Sequence, residues 1–71
     1  MEKIKISTEF IRLDQLLKFA SIVESGGIAK MVIIDGLVKV NGEICTQRGK
    51  KIRHNDIVEF DNSKIIVSDE E

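Results

Sequence analysis

Gly36-Leu37-Val38-Lys39-Val40-Asn41-Gly42 is the stretch on which the fold turns. Val38 and Val40 alternate with Lys39, the period of two that buries one face of a strand and leaves the other in water. Lys39 therefore points away from the two valines. Asn41-Gly42 follows at once, and a type I′ turn asks for positive φ at both central residues, which Asn and Gly accept most readily. The stretch predicts a β-hairpin. Gly36, just after Asp35, stands where a left-handed C-cap would end a preceding helix.

Upstream, the period changes. Ile28, Ala29, Val32 and Ile33 form a helical stripe, and Ser25 ahead of Gly26-Gly27 offers a hydroxyl to the first free amides. A short helix over about Gly27 to Asp35 is expected. Before it, Leu13, Leu16, Leu17 and Ala20 fall at i, i+3, i+4 and i+7, one face of an amphipathic helix. That helix is placed from about Arg12 to Ser21, with Thr8-Glu9 as an earlier alternative start. Lys3 to Ser7 alternates charge with isoleucine and reads as a strand. Downstream, Cys45 to Arg53 is polar and basic, a loop or irregular return strand. Ile57 to Phe60 is a strand, Asp61-Asn62-Ser63 a turn, Lys64 to Val67 a last strand, and residues 68–71 an acidic tail that frays. The sum is one α+β domain over residues 1–71, a two-helix hairpin packed on a small antiparallel sheet.

Seventy-one residues make a small core. A chain of this size buries about 60% of its unfolded surface, and its core supplies on the order of 3–5 kcal/mol of net stability. Cys45 is the only cysteine, which excludes an internal disulfide and a multi-cysteine zinc site, and His54 is the only histidine. No metal and no cofactor is expected. A lone thiol fits a reducing cytoplasm. The longest apolar run, Met31 to Ile34, is far too short to span a bilayer, and the N-terminus lacks a signal-peptide core. No membrane association is expected.

Catalysis finds no footing. A nucleophile, a base and an orienting group are needed together, and nothing in the spacing of Cys45 and His54 brings them into contact. Cys45 reads as a half-buried strand residue and His54, beside Asn55 and Asp56, as a turn residue. Neither GxxxxGK[ST] nor GxGxxG is present. No catalytic residue is assigned.

The net charge of −1 conceals an asymmetry. Residues 39–53 carry Lys39, Arg48, Lys50, Lys51 and Arg53 against Glu43, a net of +4, whereas residues 54–71 carry six carboxylates against Lys64. A nucleic-acid surface needs only a local basic patch, because screening removes charges more than about 8–10 Å away. Taken singly, each of these cations is ordinary on a soluble surface. Phe10, Phe19 and Phe60 are the only aromatics and are assigned to the core, so stacking of single-stranded bases is a poor fit. A folded duplex or junction, recognised by charge and shape, fits better.

The joint order of these features resembles a known family. Arg12-Leu13-Asp14-Gln15-Leu16-Leu17, Ser25-x-x-x-Ala29, Gly36-x-Val38-x-Val40-Asn41-Gly42, a basic stretch and Asp56-x-Val58 are similar to the RNA-binding domain named after small-subunit ribosomal protein S4. The resemblance covers about Ile11 to Phe60. It implies the alpha-L fold, two helices on a small antiparallel sheet with RNA held by the helical hairpin and the adjacent sheet edge. The chain looks like a short stand-alone bacterial member, with Ser25 to Lys30 and Arg48 to Lys51 carrying that group's features. Gly26 stands where the wider family has an arginine, and Lys30, four residues on, is the substitute on nearly the same helical face. Asn55 replaces a glycine before Asp56, and asparagine tolerates the left-handed φ that the turn asks for.

The expected function is non-catalytic binding of structured RNA, ribosomal RNA or a ribosomal particle, by a cytoplasmic monomer. Arg12, Lys30, Lys39, Arg48, Lys50 and Lys51 would neutralise phosphates. Asn41 and Gly42 would fix the turn that aims them, Asn41 also offering a hydrogen bond. The alternative is a protein–protein adaptor on the same fold with reduced RNA affinity, favoured by Gly26 and the near-neutral total charge. A β-grasp carrier is disfavoured because the chain ends Asp69-Glu70-Glu71 and lacks a terminal diglycine. Duplex DNA is distinguished by its missing 2′-hydroxyls.

Overall fold

Asn41 and Gly42 both take positive φ, 52° and 86°, in the computed structural model, which describes residues 1–70. The hairpin they close joins β3 (Val38–Val40) to β4 (Glu43–Ile44), with Val40 opposite Glu43. Four further strands flank the helices: β1 (Glu2–Lys5) and β2 (Ile11–Arg12) precede α1 (Leu13–Phe19) and α2 (Gly26–Ile34), while β5 (Lys51–Ile52) and β6 (Ile57–Phe60) follow the hairpin. The last element is β7 (Ser63–Ser68).

The main sheet has the order β1-β7-β6-β3-β4, and β2 pairs with β5 in a separate two-stranded ladder. In the main sheet Val38, Val40, Val58, Ile65 and Val67 point inward. They share one core with Leu13, Leu16 and Leu17 of α1 and Ala29, Val32 and Ile33 of α2. Leu13, Leu16, Leu17 and Ile33 are wholly buried, worth about 1.5–3 kcal/mol each before conformational entropy is subtracted. Opposite-phase residues form the outer face, where Lys39, Glu59 and Lys64 align across three strands.

Both helices end in the same motif. At α2, Gly36 has φ 77°, its N–H donates to the Ile33 carbonyl and the Leu37 N–H to that of Val32, a Schellman cap. At α1 the left-handed residue is Ser21, φ 59°, with Ser21 N–H donating to Lys18 and Ile22 N–H to Leu17. The left-handed Ser21 ends the helix at Phe19, short of the expected Ser21, with no glycine to mark the place. Its start also shifts: Arg12 is extended and belongs to β2, because it pairs with Lys51. Ser25 caps α2 as expected, its Oγ accepting from the Ile28 N–H at 3.2 Å.

Other expectations are corrected by packing. The sheet is antiparallel, as expected, except at one edge: β1 runs parallel to β7, entering after a crossover that contains the rest of the domain. Phe19 is 63% exposed and outside the core. It lies about a third of a turn round from the stripe of Leu13, Leu16 and Leu17. Ile28 is likewise 37% exposed, on the rim of the α2 stripe. Ser68 is buried within β7, opposite Lys5, so the acidic tail starts one residue later than expected; Glu71, its end, lies outside the described residues. No helix among the described residues is long and apolar enough to cross a membrane.

Candidate nucleic-acid interface

The basic loop is built onto the start of α1. Ile11 pairs with Ile52 and Arg12 with Lys51, which lays β5 beside the segment leading into the helix. The helix lacks a side-chain N-cap. Its Leu13 and Asp14 N–H groups donate instead to the Lys50 and Arg48 carbonyls, at 2.9 and 3.0 Å. Two of the donors that any helix start leaves free are thus satisfied by the loop's own backbone. The loop closes on itself through Lys50 N–H to the Gln47 carbonyl at 3.1 Å, with Arg48 and Gly49 at the tip. With the carbonyls turned toward the helix, the Arg48, Lys50, Lys51 and Arg53 residues are all exposed.

Counter-charge at this surface is sparse. Arg12 donates to Asp14 Oδ2 at 3.0 Å, and the two side chains are 44% and 13% exposed. Its Nε is buried beside Gly49 and has no hydrogen-bond partner, a donor whose desolvation costs about 1–3 kcal/mol if unmet. Among the described residues, Arg48, Lys50, Lys51 and Arg53 form no ion pair with a carboxylate. Lys51 Nζ lies 4.9 Å from the centre of the Phe10 ring and the Arg53 guanidinium 5.7 Å from it. One half-buried ring therefore collects two cations by cation–π attraction. Lys51 and Arg12 being cross-strand neighbours, three cations (Arg12, Lys51 and Arg53) are held close around β2 and β5.

The Asn41-Gly42 hairpin reaches this strand through its side chain. Asn41 Oδ1 accepts from the Ile57 N–H at 2.9 Å, taking the place of a backbone carbonyl in the β3–β6 ladder, and its own N–H donates to the Ile57 carbonyl at 2.7 Å. Asn41 Nδ2 donates to Asp56 Oδ1 at 3.0 Å. Asp56 Oδ2 accepts from the Arg53 N–H at 2.8 Å. Asn55, φ 73°, makes the turn before Asp56, the left-handed conformation expected there. Asn41 and Asp56 thus tie the hairpin to the end of the basic strand, and both groups of the Asn41 amide are engaged within the fold.

The structure gathers Arg12, Arg48, Lys50 and Lys51. Lys39 lies on the outer face of the main sheet, opposite Glu59, and Lys30 on the exposed side of α2; no hydrogen bond or ion pair described links either to the loop. Gly42 is exposed at the hairpin tip. Arg53 and Phe10 complete the cluster. Phe10, assigned to the core by its apolar character, precedes β2 by one residue, and continuing the β2–β5 register sets it opposite Arg53. That register is a tertiary fact.

Cys45 is half-buried, its Sγ 3.8 Å from the Gln47 carbonyl, with no base beside it. His54 sits in the turn after β5, where Nδ1 accepts from the Asp69 N–H at 3.2 Å. Asp69 Oδ1 and Glu70 Oε1 stand 3.1 and 3.8 Å from its two nitrogens. His54, Asp69 and Glu70 are the one group of metal-ligand type among the described residues, with donor atoms within 4.8 Å of one another. Their carboxylates are exposed and the Asp69 amide already occupies Nδ1, so the arrangement works as a polar clasp of the tail on the turn.

Comparison with known proteins bears on the family. A family model described as the S4 domain matches residues 4–68. A probable ribosome maturation protein RlbA of Bacillus subtilis (strain 168) is 43% identical over 58 residues, 82% of either chain.

Proposed function

We propose that this chain, which belongs to the S4 domain family, is a non-catalytic RNA-binding protein that recognises structured RNA of the ribosome or its precursors. The observation that carries the reading is the loop Arg48 to Arg53, whose backbone is clamped on α1 while its cations face solvent without carboxylate partners among the described residues. Charges held on a rigid frame match the fixed spacing of phosphates in a folded RNA, and each contact releases counterions. The name of the Bacillus relative, a probable ribosome maturation protein, supports ribosomal RNA as the target class. Arg12, Arg48, Lys50, Lys51 and Arg53 are the grip. Asn41 and Gly42 serve as the aiming device, and Lys30 and Lys39 are outlying contacts.

Replacing Lys50 and Lys51 by alanine tests this. Binding to a structured ribosomal RNA fragment, followed by fluorescence anisotropy across a salt series, should weaken for every sequence, and the log–log salt slope should fall by roughly one unit per lost contact. Unchanged affinity and slope would remove the loop from the interface.

One observation favours a protein partner as a second reading. Met31 and Ile34 of the helix that carries Gly26, Leu37 just beyond it and Ile44 of β4 are 54–63% exposed. Ribonuclease treatment of a lysate before affinity capture separates the readings, since an adaptor keeps its partners after digestion.

A further inference from the structure

Beside the basic loop, between the β3–β4 hairpin and the segment that leads to Lys50, lies a groove of about 420 Å³. Its lining includes Glu43, Ile44, Cys45, Thr46, Gln47 and Lys50. We propose that this groove receives a single unpaired nucleobase, extruded from the RNA whose phosphates the basic loop holds; the proposal rests on the RNA-binding reading above.

The occupant follows from what the lining offers. Ile44 is 63% exposed at the edge of the sheet, an aliphatic surface on which a flat ring can lie. The Gln47 amide carries a donor and an acceptor side by side, and Thr46 adds a hydroxyl; no described hydrogen bond engages either side chain. The Asn41 amide, also at the groove, is already taken by Asp56 and Ile57, which leaves Gln47 as the free amide. Glu43 places a carboxylate in the lining, which repels a phosphate and accepts from the ring or exocyclic N–H groups of a base. A neutral, planar, hydrogen-bonding group is therefore the match for Glu43, Ile44, Thr46 and Gln47, and a phosphate for Lys50 alone.

Location supplies the rest. Lys50 belongs to the groove and to the basic loop at once, so a base entering here has its flanking phosphates beside Arg48 and Lys50. The groove is open to solvent and cannot enclose most of a free small molecule, as metabolite sites do. A base delivered on an already bound strand has no such need, because the phosphate contacts hold it at high effective concentration. Extrusion costs least for a nucleotide that is already unpaired. Sequence-specific RNA recognition works largely through such bulges and loops.

The test compares two RNA hairpins of identical stem sequence, one fully paired and one with a single bulged 2-aminopurine, against the full chain. The bulged RNA should bind about tenfold tighter, its fluorescence should change on binding, and it should slow iodoacetamide alkylation of Cys45 more than the paired RNA does. Gln47→Ala and Thr46→Val, both at exposed positions, should bring the ratio of the two affinities toward one; the loss of one hydrogen bond corresponds to about 2–10-fold. Equal affinity for the two RNAs with equal Cys45 reactivity overturns the groove and leaves the basic loop standing. Failure to bind either RNA overturns the RNA reading itself, and the groove with it.

Discussion

Exchanging the partners of the Asn41–Asp56 hydrogen bond probes the link between the hairpin and the basic strand. Asn41→Asp keeps an acceptor for the Ile57 N–H but sets a second carboxylate where Nδ2 now lies 3.0 Å from Asp56 Oδ1. Two unit charges at that separation repel by about 1.4 kcal/mol even at the dielectric of bulk water. The lost hydrogen bond adds about 1 kcal/mol, the ordinary net value, since exposure removes most of the premium of a charged acceptor. The single variant should therefore lose about 2–3 kcal/mol. For a domain of this size that lowers Tm by on the order of 10–20 °C. Asp56→Asn alone confronts two amides and also weakens the bond from the Arg53 N–H. Combined, Asn41→Asp and Asp56→Asn rebuild the bond with its polarity reversed, and the new amide oxygen still accepts from Arg53. Urea unfolding of the four proteins at low and moderate salt should give a favourable coupling of at least about 1 kcal/mol, with a penalty in the single Asn41→Asp variant that shrinks as salt rises. A double variant as unstable as the sum of the singles would show that the two turns are not energetically joined, and the argument that the hairpin aims the basic strand would fall.

Further outcomes follow from the same structure. Ser25→Ala removes the hydroxyl that accepts from Ile28 and should lower stability by about 1 kcal/mol in urea unfolding, with RNA affinity of the folded protein preserved. Leu16→Ala empties a wholly buried position and should cost about 2–5 kcal/mol; against a net stability of on the order of 3–5 kcal/mol the amide proton spectrum should collapse toward that of an unfolded chain. Phe10→Leu keeps apolar bulk but removes the ring face from Lys51 and Arg53, an attraction of about 0.5–1 kcal/mol at an exposed site. RNA affinity should fall by a few-fold at constant salt slope, because no charge is lost; a reduced slope in an anisotropy titration would show that the ring holds a phosphate contact directly.

Much of the fold is written in local chemistry. The hairpin follows from two adjacent residues that accept positive φ, and the second helix is bracketed by Ser25 and Gly36, whose conformations are those their side chains favour. The end of α1 is harder to read because its left-handed residue is a serine, and only the hydrogen bonds of Ser21 and Ile22 reveal the cap. Phe19 misleads by hydrophobicity alone, since position on the helix decides its exposure. The site shows the same division. A run of cations is visible in the chain, but which of them share a surface depends on contacts between segments about forty residues apart in sequence.

The sequence by itself determined the α+β class, the two helices, the Asn41-Gly42 turn and the concentration of positive charge between Lys39 and Arg53, because each rests on periodicity, turn chemistry or composition within a short window. Only the tertiary structure decided that β5 pairs with β2, that the Arg48 and Lys50 carbonyls cap α1, that Phe10 lies beneath two cations and that Asn41 is bound to Asp56. The physical reason is that strand partners and unfilled helix donors are settled by whichever distant backbone satisfies them once the core has closed. A strand of two residues carries too little pattern to announce its partner in advance.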